Sequence, residues 1–149
     1  MKSSWKRGRL VLAVLLGVPA GLMFLFSIAR PAMGNDGSFI DPILSASCHR
    51  MPSRCITLPW GISGLCARCT AFWLGLMSGI LIMYRPMFRI PFWAGFPLLL
   101  PLIIDGLLQY HSLYESSNFV RLITGLAAGF GISVIILGRT QDARPDLPI

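Results

Sequence analysis

Apolar residues along the chain gather into four long runs, and most of the charge falls in the gaps between them. The runs cover about residues 10–29, 62–84, 91–109 and 119–138. Each is close to the ~20 residues that a helix needs to cross ~30 Å of hydrocarbon. Inside a bilayer no water is present to hydrogen-bond the backbone, so each run must satisfy its own N–H and C=O groups as a helix. The pattern predicts an all-α chain: a four-helix polytopic membrane bundle, one membrane domain over residues 1–149, with a long structured outer loop between helices one and two.

Finer features fit this frame. Residues 30–42 are rich in Gly, Pro, Asn, Asp and Ser and read as irregular loop. Residues 45–54 read as a turn or a short helical piece, limited by Pro52 and Pro59. Pro19, Pro97 and Pro101 lie inside apolar runs and should kink their helices. Gly75 with Gly79, and Gly125 with Gly129, have the small-xxx-small spacing that lets helices approach closely. Tyr84, Trp93, Tyr110 and Tyr114 fall where interfacial aromatic anchors belong. The first run also has a basic start and a Ser27-Ile28-Ala29 triplet, as a cleaved leader would. Its apolar stretch exceeds the ~7–15 residues of a leader core, so it is expected to stay as a span.

Composition supports the membrane reading. Of 149 residues, 54% are hydrophobic and 13% charged, about half the soluble norm of ~25% charged. The net charge of +7 does not point to nucleic acid, because the basic residues sit at the ends of apolar runs rather than along one soluble face. Lys2, Lys6, Arg7 and Arg9, then Arg85 and Arg89, then Arg139 and Arg144 all fall on one side of a four-span arrangement. The positive-inside rule makes that side cytoplasmic, with both termini inside and a multi-pass location in the cell membrane. Arg30, Arg50 and Arg54 lie in the outer loop against this rule, so binding or structure there must account for them.

The unusual polar residues all fall at the outer depth. Cys66, Arg68 and Cys69 stand at the outer end of span two. Asp105 and Gln109, four apart and so on one helical face, stand at the end of span three. Asn118, Arg121 and Thr124 open span four, and Cys48, His49, Arg54 and Cys55 lie in the loop above. Ionisable groups at membrane depth are costly and mark functional sites by default. Their agreement predicts one outer pocket. A buried Asp105 needs a cation, and Arg68 and Arg121 are at matching depth, either for packing or for binding. The arginines suit a small anionic or carbonyl-bearing ligand.

Three readings of the cysteines remain open. Cys48, His49, Cys66 and Cys69 form a soft ligand set for zinc or another thiophilic metal, with Cys55 as the substitute donor. Alternatively, Cys66-Ala67-Arg68-Cys69 at a helix start is a redox pair, with Cys48 and Cys55 as a second pair and a quinone as electron acceptor. In the third reading a structural disulfide or a bound metal staples the loop without catalysis. Four closed protein ligands would favour structure; three with an open position would favour chemistry.

The string Cys48-His49-Arg50-Met51-Pro52-Ser53-Arg54, then Gly61, then Cys66-Ala67-Arg68-Cys69-Thr70 and Gly75, resembles the family called domain of unknown function 2085. Asp105, Gln109, Asn118, Arg121, Thr124 and Gly125 also match its pattern, so the resemblance runs from about Ser47 to Gly129. Ala71 departs from the family's usual glycine, and Cys55 falls where no family cysteine is expected. The shared set is then three thiols and a histidine, an odd count that favours metal over two disulfides. The resemblance implies a small prokaryotic multi-pass membrane protein with a common site, and it implies no reaction.

Overall fold

The computed structural model of the chain describes residues 2–85, 90–111 and 114–142. Helix α1 covers Lys2–Ala29 and includes Pro19. A tight 3-10 segment, Arg30–Ile40, follows and leads into the short helix α2, Asp41–Ser47. After a 3-10 turn at Pro52–Arg54, strands β1 (Cys55–Leu58) and β2 (Gly61–Cys66) pair antiparallel. Helices α3 (Ala67–Tyr84), α4 (Gly95–Tyr110) and α5 (Asn118–Asp142) complete the chain. Among the described residues, four helical segments are long and apolar enough to cross a membrane.

Two local expectations are corrected. Residues 62–66, placed by apolarity at the start of span two, form β2, and the helix begins only at Ala67. Gly61 has φ 134°, and a Cβ at Gly64 would strike Leu44 and Arg30 from the preceding loop, so an extended, side-chain-poor strand fits there. Residues 30–42 are not irregular. They run helically with one break at Gly34, where φ is 54°. Arg30 clamps this turn shut with a two-pronged hydrogen-bonded pair to Asp41, at 2.8 and 2.7 Å. Beneath it Ile40, Leu44 and Leu65 are fully buried and pack with Met23.

The long helices pack in the spatial order α1, α3, α5, α4. Glycine sets the central contact. A Cβ at Gly75 would meet the Leu126 backbone, and one at Gly125 or Gly129 would meet the carbonyls of Arg68 or Phe72. Backbone thus touches backbone between α3 and α5, the close approach that small residues allow when no hydrophobic force separates helix from lipid. On the other face of α3, the Ser27 and Thr70 hydroxyls share a buried 2.7 Å hydrogen bond with α1. Ala20, Leu76, Ile80, Met83, Val134 and Leu137 form the buried core between α1, α3 and α5. Helix α4 turns Phe96, Leu100, Ile103, Ile104 and Leu107 outward, a surface suited to hydrocarbon.

One end of the bundle is closed by Arg9 and Gln141, which both donate to the Met83 carbonyl, at 2.8 and 3.0 Å, and by Arg139 over the Phe92 ring. Arg89 and Arg144, used above for orientation, lie outside the described residues, as do the side chains of Lys2 and Lys6. The opposite end gathers the C-termini of α1 and α4, the N-termini of α3 and α5, and the hairpin.

Candidate metal centre

Cys48 caps the C-terminus of α2 in extended geometry, φ −159° and ψ 141°. Two residues on, Arg50 takes the left-handed conformation with φ 52°, a strained position for a residue with a side chain. That turn aims the Arg50 amide at Cys48 Sγ, 3.4 Å away, while the Cys66 amide donates to the same sulfur at 3.5 Å. Amides directed at a sulfur favour its thiolate. The neighbouring Cys66 thiol, then that of Cys69, then these amides hold the Cys48 thiol well below its usual range. The strained turn is kept in place from outside, since the Arg50 guanidinium pairs with Asp41 at 2.9 Å.

Cys66 ends β2 and is the N-cap residue of α3; Cys69 follows in the first helical turn. The strand-to-helix junction therefore sets both sulfurs on one side, facing the end of α2. The sulfurs of Cys48, Cys66 and Cys69 all lie within 4.8 Å of one another. Three sulfurs on a tetrahedral ion with ~2.3 Å bonds would stand about 3.8 Å apart, so a small inward rotation of the side chains closes the set. Among the described residues this is the one such group of potential ligands, and neither His49 nor Cys55 belongs to it. His49 is exposed at the rim. Cys55 is buried, its Sγ donates to the Met51 carbonyl at 3.2 Å, and burial pushes its thiol up.

The polar shell divides into two parts. Asp105, on α4 and only 4% exposed, accepts from the Arg68 guanidinium and from Gln109 Nε2 at 2.9 Å, and its other oxygen accepts from the Tyr114 hydroxyl at 3.2 Å. Arg121, on α5, donates to Asn118 Oδ1 at 3.1 Å; Asn118 in turn donates to the Cys55 carbonyl at 3.3 Å and ties α5 to β1. Thr124 is spent on its own helix, donating to the Arg121 carbonyl. Of the two candidates for Asp105, the structure pairs Arg68. The Nε atoms of Arg68 and Arg121 are buried without a hydrogen-bond partner. Each such donor costs about 1–3 kcal/mol if nothing meets it.

A cavity of about 340 Å³ opens beside the sulfurs, lined by the three cysteines and by Arg50, Arg54, Arg68 and Arg121, with His49 and Gln109 at its wall. The loop arginines have structural roles: Arg30 and Arg50 hold Asp41, and Arg54 faces the cavity. Sequence reasoning missed two contributors. Tyr114 reads as an interfacial anchor but serves Asp105, and nothing in its own neighbourhood signals this. Arg50 was legible only as part of the Cys48-to-Arg54 string, since its left-handed backbone is set by the fold.

Comparison with known proteins places this site within a recurring segment. The family described as "Predicted membrane protein (DUF2085)" matches residues 48–135, which hold the three clustered cysteines and Arg50, Arg54, Arg68, Asp105 and Arg121. An uncharacterized protein of Methanocaldococcus jannaschii is 35% identical over 100 residues, covering 64% of this chain and 64% of that protein. An uncharacterized protein of Methanothermobacter thermautotrophicus is 34% identical over 93 residues, covering 59% of this chain and 82% of the relative. The chain thus spans somewhat less than two thirds of the length of the first relative. No solved structure matches.

Proposed function

The chain belongs to the DUF2085 family of predicted membrane proteins, and from that premise we propose that it is a membrane metal-binding protein whose ion, zinc or another thiophilic metal, is held by Cys48, Cys66 and Cys69. The observation that carries this reading is the gathering of three sulfurs within 4.8 Å from two separate parts of the chain. Neutral thiols attract one another weakly, and three thiolates that close repel. A soft cation removes the conflict. The amides on Cys48 Sγ support its charged, ligating form.

Three thiolates leave a tetrahedral ion one open position, as in catalytic rather than closed structural sites. That position would face the arginine-lined cavity, where a small anionic or carbonyl-bearing ligand could take it. The charge distribution supports an orientation with both termini cytoplasmic and the cysteines on the outer face of the cell membrane. A second reading, thiol–disulfide exchange coupled to a quinone, draws on the same proximity, because Cys48 is within reach of the Cys66–Cys69 pair.

The test is metal content and thiol reactivity on detergent-purified protein. The metal reading expects about one equivalent of ion per chain, with Cys48, Cys66 and Cys69 resisting alkylation until a chelator is added. The redox reading expects a disulfide that opens with reductant and releases no ion. Metal below a tenth of an equivalent after purification and zinc incubation, with all thiols reactive, would overturn the proposal.

A further inference from the structure

We infer that the cavity beside the sulfur cluster is a binding site for a phosphate-type oxyanion, gripped by Arg121 and Arg54 and seated at the open face of the centre. The inference rests on the metal reading only for what lies at the cavity floor; the arginines carry it independently.

Four guanidiniums line the cavity and no carboxylate does. Two of them are answered from outside it: Arg50 by Asp41 and Arg68 by Asp105. Arg121 and Arg54 have no carboxylate partner among the described residues. Arg121 is 7% exposed, and its Nε is buried with no hydrogen-bond acceptor. A buried guanidinium left so needs an anion, because its charge has lost most of its water. Asn118 takes only one of its nitrogens, so the donor atoms left over are free for a ligand. Arg54, exposed at the mouth, has no side-chain hydrogen bond or ion pair among the described residues.

The geometry selects among anions. Arg54 precedes β1, Arg68 opens α3 and Arg121 lies in the first turn of α5, so their guanidiniums approach from three separate elements. A carbonyl offers one neutral oxygen, and a carboxylate offers two oxygens confined to one plane, enough to bridge two guanidiniums as Asp41 bridges Arg30 and Arg50. A tetrahedral oxyanion presents several charged oxygens in different directions and can accept from Arg54, from Arg121 and from the Arg68 donors that Asp105 leaves unpaired. The N-termini of α3 and α5 add positive potential at the same end. The volume of about 340 Å³ is at the lower limit of small-ligand sites, room for a phosphate with a short substituent. The phosphate group could belong to a soluble compound or to a lipid head group at the interface.

Equilibrium dialysis of labelled inorganic phosphate against protein in a maltoside detergent, at fixed ionic strength, tests this. Zinc-loaded and metal-stripped samples are compared, and metal content is measured on each. Saturable uptake approaching one phosphate per chain is expected, weakened at least tenfold by Arg121→Gln and by Arg54→Gln. Arg54 is exposed, so its variant folds even if the buried Arg121 change does not. Competition by soluble glycerol phosphate at lower concentration than by phosphatidylglycerol assigns a soluble ligand; the reverse assigns a lipid, and either supports the inference. Absent phosphate uptake and absent competition, or uptake unchanged in folded Arg54→Gln and Arg121→Gln, overturns it. Metal bound without phosphate refutes only the oxyanion site, and phosphate bound by protein that takes up no zinc on loading removes only the metal reading.

Discussion

Replacing Asp105 by Asn tests the joint that holds α4 to the site. The side chain is almost isosteric, so packing is preserved and the change is electrical. Asp105 now accepts from Arg68, Gln109 and Tyr114 at once. An amide has one acceptor oxygen, and its NH₂ must then face either the two donors on one side or the tyrosine hydroxyl on the other. With the oxygen turned toward Arg68 and Gln109, the NH₂ donates to the Tyr114 hydroxyl oxygen, so the hydrogen bonds survive and the loss is the negative charge opposite Arg68. Breaking a buried pair by removing one partner costs ~3–5 kcal/mol. The Arg68 side chain is 25% exposed, so water softens the penalty, and about 2–3 kcal/mol is expected. That is roughly a 30- to 150-fold fall in the folded-to-unfolded ratio. Titration of the detergent-solubilised protein with dodecyl sulfate, followed by Trp fluorescence, measures it. Arg68→Gln should cost a similar amount, and the double variant should cost at least ~1 kcal/mol less than the sum. A loss for Asp105→Asn below ~0.5 kcal/mol, or strict additivity, would show that the pair does not hold the bundle.

Other outcomes follow from the same geometry. Cys48→Ser, Cys66→Ser and Cys69→Ser should each lower zinc retention by at least tenfold, whereas Cys55→Ser should leave it unchanged, read by elemental analysis after dialysis; equal losses for all four would contradict the three-sulfur set. Gly125→Ala should destabilise by about 1–3 kcal/mol in the same dodecyl sulfate titration, because its Cβ meets the Arg68 carbonyl; a neutral result would mean that α3 and α5 do not touch there. Asp41→Asn should release the Arg50 turn and weaken zinc retention without altering the stability of the long helices; unchanged retention would remove the turn from the site's support. Reporter fusions after Gly34 and after Arg144 should report opposite sides of the membrane, and the same side for both would refute the proposed orientation.

Much of the architecture was legible because hydropathy encodes depth. Four apolar runs give four helices long enough to cross a membrane, and polar residues inside them disclose the end at which a site can form. The Cys66-to-Cys69 spacing, at a helix start, already sets two sulfurs on one side, since three residues nearly complete a helical turn. The glycine pairs likewise announced close packing. None of these signals carries lateral information. Which helix neighbours which was decided by surface shape: Gly75, Gly125 and Gly129 let α3 and α5 meet backbone to backbone, and that contact brings Arg68 and Arg121 to one cavity.

Only the tertiary structure decided the rest. Apolarity could not separate a strand from a helix at residues 62–66, because a short buried segment has the same composition in either form. The sequence set Cys48 beside the pair, but it could not say that His49 turns to the rim and Cys55 to the Met51 carbonyl. Those directions depend on the left-handed backbone at Arg50, held by an ion pair to Asp41 across the loop. Nor could it choose Arg68 over Arg121 as the partner of Asp105, since both lie at the same depth. Depth is a property of each segment and can be read from it alone. Direction and partnership belong to pairs of segments, and exist only once the chain has packed.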